Sequence, residues 1–586
     1  MKTVTYDKDG IYINGKKEKI VAGAIHYFRV VPEYWEDRLL KLKESGCNCV
    51  ETYICWNLHE KKQGEFDFSG WLDFTKFIEL SRKVGLYAIV RPGPYICSEW
   101  DLGGLPWWLL KYPNISLRCS DETYLSLCEP YLRKVCALLR PHLISNGGNV
   151  IFVQIENEYG SVGNDKKYLR WLKDLYIEEG IDCEFVTSDG ASDTQLNGGT
   201  LPDVLATVNL GVEPERYLNV LKRIRPNQPC GIMEFWNGRC DIFGTDDPKR
   251  DVEEIKESLS VVLDKTEILS LYMFHGGTNF GFMNGGVKIG EDSLPYATTY
   301  DVDAPLDEYG RRTEKYYAEQ ELICKAFGKE VVNTAKDVII KEYSDIKYIG
   351  ECSLKESGLK LNSIESLNVK TMEECDQGFG YIIYEMNTEV YEHGGYIILP
   401  EFRDIAHIYV DGKYQKTISS CKEGEKVELK ESGKHTVFIV IESLGRVCQS
   451  VKPKDFKGLL GDSLVARIEE PVWHPQQVYY NYRIYNFPVD ELPEKYDGKA
   501  SVNEPAFYKY EFTADTKEDT VLHFKGFTRG VAFINGFNLG RHWAFPDIDN
   551  KLYIPAPLLK EGKNEIVIFD ILHKDEEKEI ILRENW

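Results

Sequence analysis

Two short stretches hold the residues best suited to chemistry. The first is Asn149-Val-Ile-Phe-Val-Gln-Ile-Glu-Asn-Glu-Tyr-Gly160. Its apolar run at 150–153 reads as a strand buried on both faces, and it breaks off into Glu156, Asn157, Glu158 and Tyr159 before Gly160 supplies a turn. Clustered carboxylates at the end of a buried strand must be desolvated, which does nothing for folding and suits catalysis. The second stretch is Pro229-Cys-Gly-Ile-Met-Glu-Phe-Trp-Asn-Gly238, another short apolar strand, ending at Glu234 beside two aromatics. In a parallel barrel, strand ends from distant parts of the chain meet on one face. Two carboxyls flanking a bond are the equipment for glycoside hydrolysis. The plain alternative is a pair of capping or salt-bridged glutamates. It fits either stretch alone better than it fits both together in a tryptophan-rich chain.

Other chemistries lack their residues. His26, His59 and His275 fall at strand ends, but no H-x-H or H-E-x-x-H brings metal ligands together. There is no G-x-S-x-G for a nucleophilic serine and no lysine at a strand end for Schiff-base chemistry. Cys47 and Cys49 form a C-x-C without a second pair at zinc-ligand spacing, so they read as buried strand residues. Neither a metal nor a cofactor is expected.

The elements that must position these acids form a regular alternation. Residues 1–19 read as a hairpin with an Asn14-Gly15 turn. Strand-like runs follow at 20–25, 47–53, 86–91, 150–154, 184–188, 204–208, 231–234 and 268–274. Amphipathic stretches lie between them at 32–46, 71–84, 123–143, 166–179, 213–223 and 252–263. Eight strands alternating with helices over about 320 residues predict an α/β fold, a (β/α)8 TIM barrel over 1–330. An open doubly wound sheet is less consistent, because no Gly-rich phosphate fingerprint follows the first strand. The barrel strands would end in unusually polar residues: His26, Tyr27 and Arg29 after the first; Tyr53, Trp56, Asn57, His59 and Glu60 after the second; Arg91 to Trp100 after the third; Tyr272, His275 and Asn279 after the eighth.

After residue 330 the rhythm changes to short β-rich runs separated by Gly, Asn, Asp or Lys-Glu turns, as in 395–400, 405–413, 435–442, 521–524 and 530–540. This predicts all-β sandwich domains. Residues 331–375 read as a linker and first strands, 376–487 as one sandwich, 488–586 as a second, with 471–506 joining them. Ile408-Tyr-Val-Asp-Gly-Lys413 and Phe533-Ile-Asn-Gly-Phe537 hint that the two are related.

At 586 residues the chain exceeds one core. The net charge of −23 argues against nucleic acid or an anionic membrane as partner. The 11 Trp and 36 Tyr suit the apolar faces of sugars, although most must be core. The N-terminal segment has no apolar signal region and no stretch is long enough to span a membrane. With 15 scattered cysteines, the expectation is reduced thiols in a cytoplasm. A homodimer is compatible with the sequence.

His26-Tyr-Phe-Arg29, Glu51-Thr-Tyr-Ile-Cys-Trp-Asn-Leu-His-Glu60, Arg91-Pro-Gly-Pro-Tyr-Ile-Cys-Ser-Glu-Trp100 with Gly103-Gly-Leu-Pro-Trp107, and Gln154-Ile-Glu-Asn-Glu-Tyr-Gly160 together resemble glycoside hydrolase family 35. The resemblance covers the barrel and returns in Phe533-Ile-Asn-Gly-Phe-Asn-Leu-Gly-Arg-His-Trp543. It implies a barrel followed by β-sandwich domains resembling galactose-binding modules. It also implies an exo-acting, retaining β-galactosidase acting on a galactoside or oligosaccharide. Strand alternation alone does not choose between Glu156 and Glu158. The resemblance selects Glu158 as acid/base and Glu234 as nucleophile, with the carboxyls about 5–5.5 Å apart. It assigns Tyr53, Cys97, Ser98, Glu99, Asn157 and Tyr300 to the terminal galactose. Asn157 would bond the 2-OH and Glu99 would accept two hydroxyl hydrogens. Tyr272 and Tyr300 would orient Glu234, and Tyr272 and Trp236 would complete the sugar site.

There are departures from the family pattern. Ser98 stands where animal members usually have alanine, and Lys61 replaces a proline in a loop. Arg239 and Cys240 occupy the region where members selective for β-1,3-linked galactose place a second tryptophan. An arginine there favours a polar or acidic leaving group. The competing functions are the same machinery on another β-glycoside, transglycosylation, and a carbohydrate-binding protein with an inactive barrel.

Overall fold

The computed structural model describes residues 3–245, 249–289, 292–390, 395–419, 424–450, 454–461, 464–467, 475–476, 482–487, 491–545 and 550–584. Eight parallel strands close a barrel. They are β1 Ile20–Ile25, β2 Cys49–Tyr53, β3 Tyr87–Arg91, β4 Val150–Gln154, β5 Glu184–Gly190, β6 Leu205–Leu210, β7 Gly231–Trp236 and β8 Ile268–His275. Their ends lie within two residues of the positions expected from the hydrophobic runs. Every residue of β1, β2, β4, β6 and β8 is buried, as strands walled by helices on one side and a packed interior on the other must be.

The expected helices are present, with Asp73, Asp121, Asp165 and Asp251 each accepting a backbone N–H at a helix start. Three α-helices among the described residues were not legible, one of them the four-residue turn Trp56–His59 after β2. Asp193–Gly199 is a seven-residue segment containing two glycines, too short and too poor in helix formers to show a period, and it is held by its Ser192 cap. Glu314–Phe327 closes the barrel after a long loop that interrupts the alternation. No helix among the described residues is long and apolar enough to cross a membrane.

Beyond the barrel lie two β units. In the first, a sheet ordered Asn362–Ser366, Tyr482–Asn486, Tyr381–Val390, Gly433–Glu442, Ile405–Val410, Lys413–Ile418 shares an apolar core with a second sheet that includes Gly395–Ile398 and Lys426–Leu429. In the second, Lys347–Ser353, Ala506–Ala514, Gly562–Asp570, Arg529–Ile534 and Phe537–Trp543 pack on Lys551–Ile554, Thr520–Lys525 and Glu579–Leu582. The Asn14-Gly15, Asp411-Gly412 and Asn535-Gly536 pairs all have positive φ and turn their hairpins as the sequence signals.

The second unit is not contiguous in sequence. Lys347–Ser353 pairs with Ala506–Ala514, so the chain visits this unit before it builds the first. Within the stretch expected to join the sandwiches, Tyr482–Asn486 is instead a strand of the first sheet, while 468–474, 477–481 and 488–490 lie outside the described residues. The two units share a core of Tyr381, Phe487, Phe507, Phe533 and Phe569, which Phe282 of the barrel joins.

Candidate active site

The polar strand ends converge. Glu158, Glu234, Tyr53, Cys97, Ser98, Glu99, Asn157, Trp236, Tyr272 and Tyr300 all line one cavity of about 720 Å³. Its base is a buried charge network inside the barrel. Arg91, at the end of β3, donates from Nη1 to Glu51 of β2 at 3.1 Å and from Nη2 to Glu234 Oε1 at 2.7 Å. Ser270 of β8 donates to the other oxygen of Glu51 at 3.0 Å. A guanidinium shut away from water needs such carboxylates; removing one partner of a buried pair costs about 3–5 kcal/mol.

Glu234 receives two further donors, Tyr53 Oη to Oε1 at 3.1 Å and Trp236 Nε1 to Oε2 at 3.0 Å. Three donors from three directions present it as an acceptor and fix its rotamer. Its backbone is specialised too. The register of β7 slips against both β6 and β8 between Ile232 and Glu234–Phe235. Such a bulge re-aims the side chains at that point.

After β4 the alternation rule stops applying. Glu156 and Glu158 have φ of 58° and 47°. These left-handed conformations are uncommon for residues with a Cβ and costly unless the surroundings enforce them. The two side chains go to different partners. Glu156 accepts two bonds from Arg118, at 2.9 and 2.8 Å, one from Tyr168 at 3.2 Å and one from the Asn157 N–H at 2.6 Å. Its oxygens are consumed in holding the loop. Glu158 lines the cavity and accepts from Asn209 Nδ2 at 2.9 Å. The expectation that both acids share a direction is therefore corrected, because the strand ends at Gln154. Gly160 follows because a Cβ there would lie 1.8 Å from the Gln195 carbonyl oxygen.

Burial, and next the charge of Glu234, pushes the pKa of Glu158 up to about 7, against the opposing effects of Asn209 and Arg91. Asn209 is the register partner of Glu234 on β6, and Ser188 Oγ donates to its Oδ1 at 2.5 Å. That bond fixes which end of the Asn209 amide faces Glu158. Asn209 was not named from sequence, and Arg91 was named only as the polar end of the third strand, without a role beside the acids. Asn209 sits at the end of an apolar strand as Glu234 does, which was the available signal.

The loop after β3 carries Cys97, Ser98 and Glu99, all left-handed at φ 55°, 57° and 50°. Three such residues in a row persist only when the loop is locked from outside. Ser98 Oγ accepts from Arg29 at 2.7 Å. Further lock comes from the first β unit. The Arg446 N–H donates to Asp101 at 2.6 Å, Leu102 N–H donates to the Arg446 carbonyl at 3.4 Å, and Tyr95 donates to the Cys448 carbonyl. The second unit holds the loop that carries Tyr300: Thr298 donates to the Arg541 carbonyl at 2.7 Å, and Arg541 donates to Asn284 at 3.0 Å. The C-terminal motif thus buttresses the barrel.

Glu99 is buried, which raises its pKa, and the bond from the Tyr300 hydroxyl works against that. Tyr300 donates to Glu99, not to Glu234; the orienting donors of Glu234 are Arg91, Tyr53 and Trp236. Tyr272 lines the cavity, with its ring edge-on to His26 and Tyr53. Asn157 Oδ1 accepts from Arg91 and shares the single Tyr53 hydroxyl hydrogen, at 3.0 Å, with Glu234, which leaves its Nδ2 hydrogens for a long 3.4 Å contact to the Ile96 carbonyl and for a ligand. The three strand-end histidines go separate ways: His26 to Arg29 and Ser98, His59 to Tyr27 and the Asp67 carbonyl, and His275 beside the Leu306 backbone.

Gln449, from the first β unit, enters the cavity and donates to Glu99 Oε1 at 3.0 Å. Replacing it by alanine removes one of the two donors that aim Glu99. Gln449→Ala is expected to lower kcat/KM about tenfold, the size of one hydrogen bond to a charged group, mostly through KM. Steady-state kinetics on an aryl glycoside that the protein turns over checks this; an unchanged KM would remove Gln449 from the binding site.

Comparison with known proteins agrees with this geometry. Residues 10–326 match the family model "Glycosyl hydrolases family 35", residues 370–479 match "Beta-galactosidase, first all-beta domain", and residues 505–564 match "Beta-galactosidase, galactose-binding domain". The chain is 35% identical to Beta-galactosidase 17 of Arabidopsis thaliana over 96% of its own length and 86% of the relative's. It is 35% identical to a beta-galactosidase of Xanthomonas manihotis over 90% and 88% of the two chains, and 33% identical to that of Mus musculus over 97% and 91%. A barrel whose strand ends aim two glutamates into one cavity, matched by the family model over more than half of the chain and by relatives over nearly all of it, places this protein in glycosyl hydrolases family 35.

Proposed function

We propose that the protein is an exo-acting, retaining β-galactosidase that removes terminal non-reducing β-D-galactose by double displacement. The observation that carries this reading is the contrast between two acids in one cavity. Glu234 is held as an acceptor by three donors, while Glu158, with its pKa raised to about 7, can keep a proton near neutrality. The relatives named above are beta-galactosidases.

Glu234 attacks the anomeric carbon as the glycosidic C–O bond breaks, and Glu158 passes its proton to the departing oxygen. Asn209 occupies Oε1 of Glu158, so the proton rides on Oε2. In the second half, Glu158 takes a proton from water, whose oxygen attacks the anomeric carbon and releases Glu234. Asn157 Nδ2 reaches the 2-OH, where contacts strengthen in the transition state. Glu99, aimed by Tyr300 and Gln449, accepts from galactose hydroxyls. A cavity, as opposed to an open groove, suits removal of a terminal sugar. The described cysteines are all free thiols, which supports a reducing compartment, the cytoplasm.

A panel of aryl β-galactoside, β-glucoside and β-fucoside tests the substrate, with galactoside expected to dominate. Turnover of glucoside without galactoside would overturn it. NMR of the first product is expected to show β-galactose; α-galactose first would overturn retention.

A further inference from the structure

Trp236, Arg239 and Arg250 line the same cavity as Glu234; the sequence had offered Trp236 for the sugar and Arg239 for a polar or acidic leaving group, but not Arg250. Trp236 is 40% exposed, yet its indole N–H is tied to the Glu234 carboxylate. Its ring is therefore a fixed wall beside the reacting centre, where the departing group must pass. Arg239 follows Gly238, where a Cβ would lie 1.7 Å from the Val302 carbonyl oxygen, so the turn carrying it is pinned. The Arg239 side chain is exposed and makes no ion pair or hydrogen bond among the described residues. Arg250 donates to the Trp236 carbonyl, which holds its guanidinium at the same wall.

The acids around Arg250 are largely committed elsewhere. Asp303 is paired with Lys315, and Glu319 accepts from Asn237 at 3.0 Å and is pushed up to about 7 by burial. Glu254 remains to face Arg250, and Arg239 repels it. Among the described residues, these two neighbouring guanidiniums thus line the cavity with Glu254 as the one acid acting on Arg250 that is not already engaged. This stands out in a chain of net charge −23, whose remaining surface repels anions. The glycone region holds Glu99, Glu158 and Glu234, so a negative group on the galactose itself would be repelled.

We propose that the leaving-group side of the cavity takes aglycones bearing an anionic group, a carboxylate or a sulfate, held by the Arg239 and Arg250 forks beside the Trp236 face. This rests on the β-galactosidase reading above and names the substrate class of that site. Both anions present paired oxygens to a guanidinium, so the chemistry is shared.

Matched disaccharides test it: galactose β-linked to glucuronic acid against glucose, and galactose β-linked to N-acetylglucosamine 6-sulfate against N-acetylglucosamine, each pair with one linkage. The wild-type enzyme is expected to favour the anionic member of at least one pair by about tenfold in kcat/KM, the size of a charge-assisted hydrogen bond. The pair that shows the preference identifies the anion. Arg239→Ala is expected to erase most of that ratio, with Arg239→Lys retaining part of it, and added salt is expected to shrink the wild-type ratio. Equal kcat/KM within both pairs, or a ratio that survives Arg239→Ala, would overturn the anionic-aglycone assignment. Failure to release galactose from any of the four would instead overturn the β-galactosidase reading.

Discussion

Glu234→Gln is expected to lower kcat by at least about 10³, because the proposed covalent step is lost while the shape of the side chain is kept. The amide oxygen can still accept from Arg91 and Tyr53, but the amide nitrogen then turns its hydrogens toward the Trp236 N–H, two donors facing each other. Arg91 keeps its bond to Glu51, so the barrel interior is not left with an unpaired buried charge. The fold is therefore expected to survive, with an unfolding midpoint close to that of the wild type, and the kinetic loss can be read as chemistry. Glu234→Gly adds a sharper readout. Azide fits the space vacated by the carboxylate and attacks from the same face, restoring turnover and giving α-galactosyl azide. Undiminished turnover in Glu234→Gln, or a β-azide from Glu234→Gly, would remove Glu234 as the nucleophile.

Glu158→Gln produces a loss that depends on the leaving group. General acid catalysis contributes about 10²–10⁴, and all of it is needed when the departing oxygen belongs to a sugar. An aryl oxygen of low basicity departs with little help, so the variant retains far more activity on an activated aryl galactoside than on a disaccharide. The pH profile carries the same information. Glu158 works as an acid only while protonated, and burial with the charge of Glu234 holds its proton up to about pH 7. Wild-type kcat/KM is therefore expected to fall as pH rises through that value. In Glu158→Gln nothing at that position titrates and the alkaline limb disappears. In Glu234→Gln one of the raising effects is gone, while burial and the charge of Glu99 remain, so Glu158 loses its proton at lower pH. Survival of the limb in Glu158→Gln, or an equal loss on aryl and sugar leaving groups, would sink the assignment.

The two variants act on one pair of carboxyls, and their effects are not additive. Glu158 owes part of its raised pKa to Glu234, and Glu234 shares Arg91 and Tyr53 with Asn157, the residue that precedes Glu158. A double variant is accordingly no slower than the slower single one by more than a small factor.

Sequence by itself determined the barrel, the β units that follow it and the two strand ends that carry acids. Buried parallel strands are written as local apolar runs, hairpins as local Asn-Gly and Asp-Gly pairs, and barrel closure forces strand ends onto one face whatever lies between them. The tertiary structure decided the directions and the partners. Glu156 and Glu158 lie beyond their strand, where left-handed φ values, not alternation, send one to Arg118 and the other to the cavity. Arg91, Asn209 and Gln449 reach the acids from other strands and from another unit altogether, at sequence separations of up to 350 residues. A side chain that matters because of what packs against it leaves no local pattern, since the same residue type at the same strand end or loop would serve as well in an inert core.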